Sequence, residues 1–133
     1  MIQSALIARL KTITSNVYAN VSPSKHSLPA ITVDLDGSTR DRHYGTTGYE
    51  TGLIDTDFEL SVWSANAAGA YNLAQSVISS LENFSGPLAG GDSPITLYSV
   101  GDIEILGENS AFDGETQLYQ YSIFITITHT LAS

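Results

Sequence analysis

Three carboxylates that alternate along one segment are the side chains best suited to chemistry in this sequence. Asp55, Asp57 and Glu59 are separated by single residues, Thr56 and Phe58. Carboxylate oxygens are the ligands that Ca²⁺ and Mg²⁺ take, but a strand holds such side chains about 6.6 Å apart instead of bending them around an ion. The row therefore predicts a solvated strand face or an electrostatic contact surface for another subunit, with a cation site as the less favoured alternative.

The other residue types that carry chemistry lack the spacing that catalysis needs. Asp102 and Glu104 form a second carboxylate pair, which could do acid–base or glycoside chemistry only beside a pocket. His26, His43 and His129 have no short metal-ligand spacing, and His129 is predicted as a hydrogen-bonded residue at the edge of the core. No nucleophile elbow, phosphate-binding loop or dinucleotide fingerprint occurs. The sequence therefore predicts no enzyme, no catalytic residue, no metal site and no cofactor.

A short run that combines both charges with an aromatic ring is the strongest candidate for contact with another protein. It consists of Arg40, Asp41, Arg42, His43 and Tyr44. Two guanidinium groups and a Tyr ring suit the carboxylates and the apolar patches of a protein surface. A solvated loop with internal ion pairs is the alternative interpretation. We predict that this run and the row of three carboxylates are the interaction residues of the protein.

The charges are divided unevenly along the chain. The 133 residues carry a formal net charge of −9. Five Lys and Arg and three Asp give the first 42 residues +2, whereas eleven carboxylates and no Lys or Arg give residues 43–133 a charge of −11. Five scattered cations cannot supply the basic footprint that nucleic acid or an anionic membrane requires, so neither is expected as a partner. The absence of cysteine excludes disulfide scaffolds and thiolate metal sites.

The apolar periodicities predict a single α+β domain over residues 1–133 in the element order α-β-β-α-β-β. Helices are predicted at 2–13 and 67–81, the second capped by Ser64 or Asn66 and stopped by Gly86-Pro87. Strands are predicted at 30–36, 54–63, 95–106 with a bulge at Gly101, and 116–131. Residues 37–52 are predicted as a flexible loop and 107–114 as a turn. A four-stranded antiparallel sheet with the helices on one face is the simplest architecture.

In the order of these elements the sequence resembles the tail-completion or tail-terminator proteins of long-tailed bacteriophages and prophages. The resemblance runs over nearly the whole chain and begins with the short N-terminal helix. It then rests on four segments at matching spacing: the strand opened by Leu28-Pro29 and followed by Thr39-Arg40-Asp41, the segment Asp57-Phe58-Glu59-Leu60-Ser61-Val62-Trp63-Ser64, the helix with Ala70-Tyr71-Asn72-Leu73, and Gln117-Leu118-Tyr119-Gln120-Tyr121-Ser122.

The resemblance implies a structural virion protein that forms a homo-oligomeric ring, with six copies in the family. Such a ring caps the tail tube, ends its polymerisation and presents a joining surface to the head–tail connector, without making or breaking a bond. The implied partners are further copies of the chain, the tail tube protein and the connector protein. The implied location is the tail or neck of the virion, and the host cytoplasm during assembly. Another neck or head-closure component is one alternative, and a small metal- or ligand-binding domain of a mobile element is another.

Overall fold

One curved sheet and two helices make up the part of the chain that the computed structural model describes. Those residues are 2–19, 28–42, 50–82, 84–89, 97–114 and 117–130. The elements follow the chain in this order: α1 (Ile2–Leu10), β1 (Val17–Ala19), β2 (Ala30–Arg42), β3 (Glu50–Ser64), α2 (Ala67–Leu81), β4 (Gly86–Ala89), β5 (Leu97–Asp113) and β6 (Leu118–Thr130). The strands form a single sheet in the order β1-β2-β3-β6-β5-β4.

The sheet is larger than the sequence predicts and is not purely antiparallel. The predicted four-stranded antiparallel sheet is wrong, because the structure has a six-stranded mixed sheet that forms a half-barrel with two helices. β1 pairs with β2 in parallel, whereas the pairs from β2 through to β4 are antiparallel. The two strands missed are β1 and β4, of three and four residues. Segments this short carry too few residues for a period-two pattern to be recognised.

The central strands also continue through segments that the sequence predicts as loops. β2 runs to Arg42 and β3 starts at Glu50, so the predicted loop over 37–52 is too long; residues 43–49 lie outside the described part. The predicted turn at 107–114 is wrong, because β5 continues to Asp113. Gly, Ser and Asn weaken the apolar alternation there, but pairing with β6 continues. The predicted bulge at Gly101 is confirmed by a register shift between Val100 and Asp102.

The two faces of the sheet differ in what covers them. Both helices pack on one face, called the inner face below; α1 contacts β1, β2 and β4, and α2 contacts β3 and β6. Since β1 and β4 are the two outermost strands, contact of α1 with both requires the sheet to curl around the helices. The inner face supplies the core, whose largest fully buried side chains are Phe58, Leu6, Leu10, Ile31, Leu60, Leu81, Ile103, Ile123, Ile125, Ile127, Val33 and Val62.

Helix α2 begins at a cap that fixes its position after β3. The side chain of Asn66 accepts a hydrogen bond from the Gly69 amide at 2.6 Å, which confirms one of the two predicted caps. A Cβ at Gly69 would lie 2.6 Å from Ser64 Oγ and 2.9 Å from Asn66 Oδ1, so any larger residue there would require the capping side chains to move. The helix ends at Leu81, ahead of the predicted Gly86-Pro87 stop. Neither helix is long and apolar enough to cross a membrane.

Arg9 joins the two helices to each other. Its Nη2 donates to the Ser80 carbonyl at 2.8 Å, and its guanidinium lies 4.1 Å from the centroid of the Phe84 ring. A cation near the C-terminal end of α2 interacts favourably with the carbonyl groups there and with the helix dipole. The charge of Arg9 therefore takes part in contacts within the fold, with the Ser80 carbonyl and the Phe84 ring.

Candidate interaction surfaces

The opposite side of the sheet, called the outer face below, carries the predicted row of carboxylates. Ile54 and Phe58 of β3 are buried on the inner face, whereas Asp55, Asp57 and Glu59 alternate with them and are half-buried. Period-two alternation along one strand therefore separates the core from the acidic row. The structure brings these three predicted interaction residues together on one face.

Threonines of β6 hold the two aspartates of this row. Thr128 Oγ1 donates to Asp55 Oδ1 at 2.6 Å, and Thr126 Oγ1 donates to Asp57 Oδ1 at 2.6 Å. A hydroxyl donor orients a carboxylate but leaves its negative charge in place. The row consequently presents fixed negative charges instead of mobile side chains.

Further carboxylates extend the acidic surface across the neighbouring strands. Asp102 of β5 pairs with Thr128 and Glu104 with Thr126, so each threonine lies between a carboxylate of β3 and one of β5. Asp34 of β2 lies directly opposite Glu59 of β3. No Lys or Arg occupies residues 55–63 of β3 or their register partners on β2 and β6. The outer face therefore carries carboxylates from β2, β3 and β5, with the hydroxyl groups of β6 between those of β3 and β5.

The geometry of these carboxylates does not favour the alternative of a bound cation. Asp55 and Asp102 pair with opposite sides of Thr128, so two inter-strand spacings, about 9.6 Å, separate their backbones. A Ca²⁺ or Mg²⁺ site draws its oxygen ligands to within 2.6 Å of one ion. Among the described residues, no group of three or more His, Asp or Glu side chains could hold a metal ion.

The predicted run Arg40, Asp41, Arg42, His43 and Tyr44 is described only in part. The backbone of its first three residues ends β2, where Arg40 pairs with Ile54 and Arg42 pairs with Glu50 across a register irregularity. The side chains of residues 40–42, and the whole of His43 and Tyr44, lie outside the described part. The backbone of residues 40–42 lies at the end of the sheet opposite to the end of β5 and the start of β6, because β3 is antiparallel to both β2 and β6.

An aromatic groove lies at the end of the sheet formed by the end of β5 and the start of β6, and the sequence pattern does not predict it. It has a volume of about 350 Å³ and is open to solvent, and it lies between Ala67 and Ala70 of α2, residues 110–112 of β5 and residues 119–121 of β6. The rings of Phe112 and Tyr119 lie 4.9 Å apart, and Phe112 is 52% exposed. The signal in the sequence is the set of aromatic residues Phe112, Tyr119 and Tyr121 in one stretch, and the predicted turn at 107–114 separates Phe112 from the two tyrosines.

One tyrosine of the aromatic groove, Tyr121, has a raised pKa. Tyr121 Oη donates to Glu108 Oε1 at 2.6 Å, and this hydrogen bond, with burial and the nearby carboxylate charge, raises the pKa of Tyr121 from 10.0 to about 12. The Tyr71 ring packs edge-on against the Tyr121 ring, with 5.9 Å between the two ring centroids.

His129 is buried on the inner face, away from the groove, and its Nε2 is hydrogen-bonded to Thr56 Oγ1 at 3.0 Å, which confirms its predicted place in the core.

Comparison with known proteins yields a likeness of fold. No protein-family model matches the chain, and no curated protein matches it. Among solved structures, a chain from the "Virion of native gene transfer agent (GTA) particle" matches with a TM-score of 0.63 and 17% identity. The match covers 97% of this chain and 94% of that chain. The fold is therefore similar, over nearly the full length of both chains, to that of a chain in a gene transfer agent virion.

Proposed function

We propose that the protein is a structural component of a virion that caps the tail tube as a homo-oligomeric ring. The observation that carries the proposal is the match in fold to a virion chain over nearly the full length of both chains. The resemblance of the sequence to tail-completion proteins supports the finer role. The ring ends tube polymerisation by shape, with one side fitted to the tube and the other to the connector, and it catalyses no reaction.

The division of charge supports a role in protein contacts. Arg40 and Arg42 lie near the end of β2, whereas the outer face is acidic over the strands around Asp55, Asp57 and Glu59. In the proposed ring the cations contact a neighbouring copy or the neck, and the acidic face meets a partner or lines the channel. A negative channel keeps passing DNA from adhering, because clustered charges create potentials of several kT over a surface.

Co-sedimentation with preassembled tail tubes tests the tail assignment. We expect a small number of copies to pellet with each tube, and this number should stay constant as tube length grows. The reason is that a cap occupies only the tube ends. Binding in proportion to tube length, or no binding, contradicts capping. Binding to the purified connector but not to tubes would assign the protein to another component of the neck.

A further inference from the structure

The inner face of the sheet extends past the start of α2, and there it carries aromatic side chains outside the core. Phe112 pairs with Tyr119, and Ser110 pairs with Tyr121, across β5 and β6. Residues directly opposite each other in an antiparallel pair share one face of the sheet. Tyr121 packs against the core, whereas Phe112 is 52% exposed. The aromatic groove is therefore an apolar part of the inner face that remains open to solvent.

Two pairs of rings give the aromatic groove a chemistry that an aliphatic surface lacks. The rings of Phe112 and Tyr119 lie 4.9 Å apart with 57° between their planes. Tyr71 of α2, which is 51% exposed, packs edge-on against Tyr121. The face of an aromatic ring carries partial negative charge and attracts a cation that lies within about 6 Å of its centroid. Exposed rings in this arrangement suit a partner that is both apolar and positively charged.

The charged side chains on the walls of the aromatic groove have one sign. α2 and β6 contain no Asp, Glu, Lys or Arg, and β5 contains carboxylates but no Lys or Arg. Glu108 of β5 is exposed, and its Oε1 accepts a hydrogen bond from Tyr121 Oη at 2.6 Å. This bond orients the carboxylate and leaves its negative charge in place. The groove therefore has a fixed negative charge at the end where Tyr121 lies.

The N-terminal end of α2 acts in the opposite direction, but its effect is smaller. Ala67 and Ala70 line the groove, and the first turn of a helix carries a partial charge of roughly +0.5. Asn66 already accepts hydrogen bonds from two amides of this turn, that of Gly69 through its side chain and that of Ala70 through its carbonyl. The full charge of Glu108 and the negative ring faces remain, so the balance favours a cation over an anion.

We propose that the aromatic groove binds an arginine of a protein partner, together with an apolar residue close to that arginine in the same segment. The guanidinium lies at the end formed by Glu108 and Tyr121, and the apolar side chain packs on Phe112. These two ends are four residues apart on β5, about 13 Å, which a short extended segment spans. Arginine suits the site better than lysine, because its planar, weakly hydrated guanidinium stacks on aromatic faces.

This inference deepens the proposed function by naming the chemistry of one partner contact, and it rests on that function only for the partner being another virion protein. Charge complementarity is the argument for the occupant, since residues 43–133 contain no Lys or Arg that could fill the site from within these walls. The groove has a volume of about 350 Å³. That volume is near the lower end of the roughly 300–1,000 Å³ of small-molecule sites, so it suits one or two side chains.

The probe for this site is the capped pentapeptide Gly-Leu-Gly-Arg-Gly, which is titrated into the full-length protein. Binding is measured by NMR from the ring-proton shifts of Phe112 and Tyr119. Two matched peptides replace the arginine by citrulline, which is neutral and of nearly the same shape, or by glutamate. We expect saturable shifts with the arginine peptide, about fivefold weaker binding of the citrulline peptide, and still weaker binding of the glutamate peptide.

A pair of charge variants locates the cation. Glu108→Gln keeps an acceptor for Tyr121 Oη but removes the charge, so it should weaken the arginine peptide about threefold and leave the citrulline peptide unchanged. Glu104→Gln is the matched control, because it makes the same change of charge on β5 opposite Thr126, on the outer face. At physiological salt its charge is screened from the groove, so the affinity should not change.

Four results would overturn the inference: equal affinity for the arginine and citrulline peptides, tighter binding of the glutamate peptide, equal losses in Glu108→Gln and Glu104→Gln, or no saturable binding. A sedimentation experiment adds a fifth, since self-association that Phe112→Ala abolishes would assign the groove to a second copy of the chain. No tubes are present in these titrations. Arginine-dependent binding by a protein that fails to pellet with tubes would therefore contradict the proposed cap and leave the arginine site in place.

Discussion

The inner and outer faces of the central sheet are built from the same strands but differ in what their side chains contact. On β3, buried Phe58 and Leu60 alternate with half-buried Asp57 and Glu59. The inner residues are enclosed by two helices, whereas Glu59 and Asp57 accept hydrogen bonds from the hydroxyl groups of Ser61 and Thr126. The difference teaches that the fold is held by one face, which leaves the other free to carry fixed negative charge.

Truncation of a core side chain should have the largest effect. Phe58→Ala removes a ring that is 1% exposed on the inner face and leaves a cavity. We expect a loss of about 3–5 kcal/mol in the free energy of unfolding, measured by denaturant titration with circular dichroism. Leu106→Ala is the control, because that side chain is 57% exposed and its loss should change the free energy by less than about 0.5 kcal/mol. Equal losses in the two variants would show that the enclosed side chains of the inner face do not stabilise the fold more than exposed side chains do.

The cap of α2 should contribute less than the core that it helps to position. Asn66→Ala removes the acceptor for the Gly69 amide and should lower the free energy of unfolding by about 1 kcal/mol. Asn66→Asp keeps an acceptor at that position and is the matched control. A loss as large in Asn66→Asp as in Asn66→Ala would show that the side-chain hydrogen bond is not the stabilising contact.

On the outer face, loss of a single hydroxyl should cost no more than the cap. Thr126→Val keeps the shape of the side chain but removes the donor to Asp57. We expect the free energy of unfolding to fall by about 0.5–1.5 kcal/mol, because the carboxylate is half-buried and water can replace the donor. Ser76→Ala on the exposed surface of α2 is the control. A loss comparable to that of Phe58→Ala would mean that the outer face also holds the fold together.

In the aromatic groove the quantity to be measured is the pKa of Tyr121, instead of the free energy of unfolding. Because the folded pKa of Tyr121 is raised to about 12, the folded protein keeps the proton between pH 10 and 12 while an unfolded tyrosine loses it. Stability from this group is complete below pH 10 and is lost as the pH rises towards 12. Ultraviolet titration of tyrosinate should show one high-pH component that Tyr121→Phe removes. A component near pH 10 in its place contradicts the bond to Glu108.

The smallest expected effect concerns metal on the outer face. Calorimetric titration with Ca²⁺ or Mg²⁺ should give no saturable heat, because the sheet holds the carboxylates of neighbouring strands too far apart for one ion. The variant Asp57→Asn serves as the matched control. Saturable binding that disappears in this variant would reinstate the cation site, and with it the interpretation of a metal-binding domain.

The sequence predicted the regions where side-chain periodicity is strong and failed where pairing between distant strands decides the structure. The alternation around Phe58 and the cap at Asn66 are local signals, so the core strand, the acidic row and α2 could be predicted. Residues 107–113 form a strand because β6 pairs with them, and the two shortest strands, β1 and β4, likewise form by pairing with β2 and β5.

The most direct test of the proposed cap is the length of tail tubes assembled in its presence. Tube protein is polymerised with increasing amounts of this protein, and lengths are measured by electron microscopy with the protein labelled. We predict that mean tube length falls as the ratio rises and that label lies at one end of each tube. Tubes of unchanged length, or label distributed along their sides, from folded protein would contradict the account.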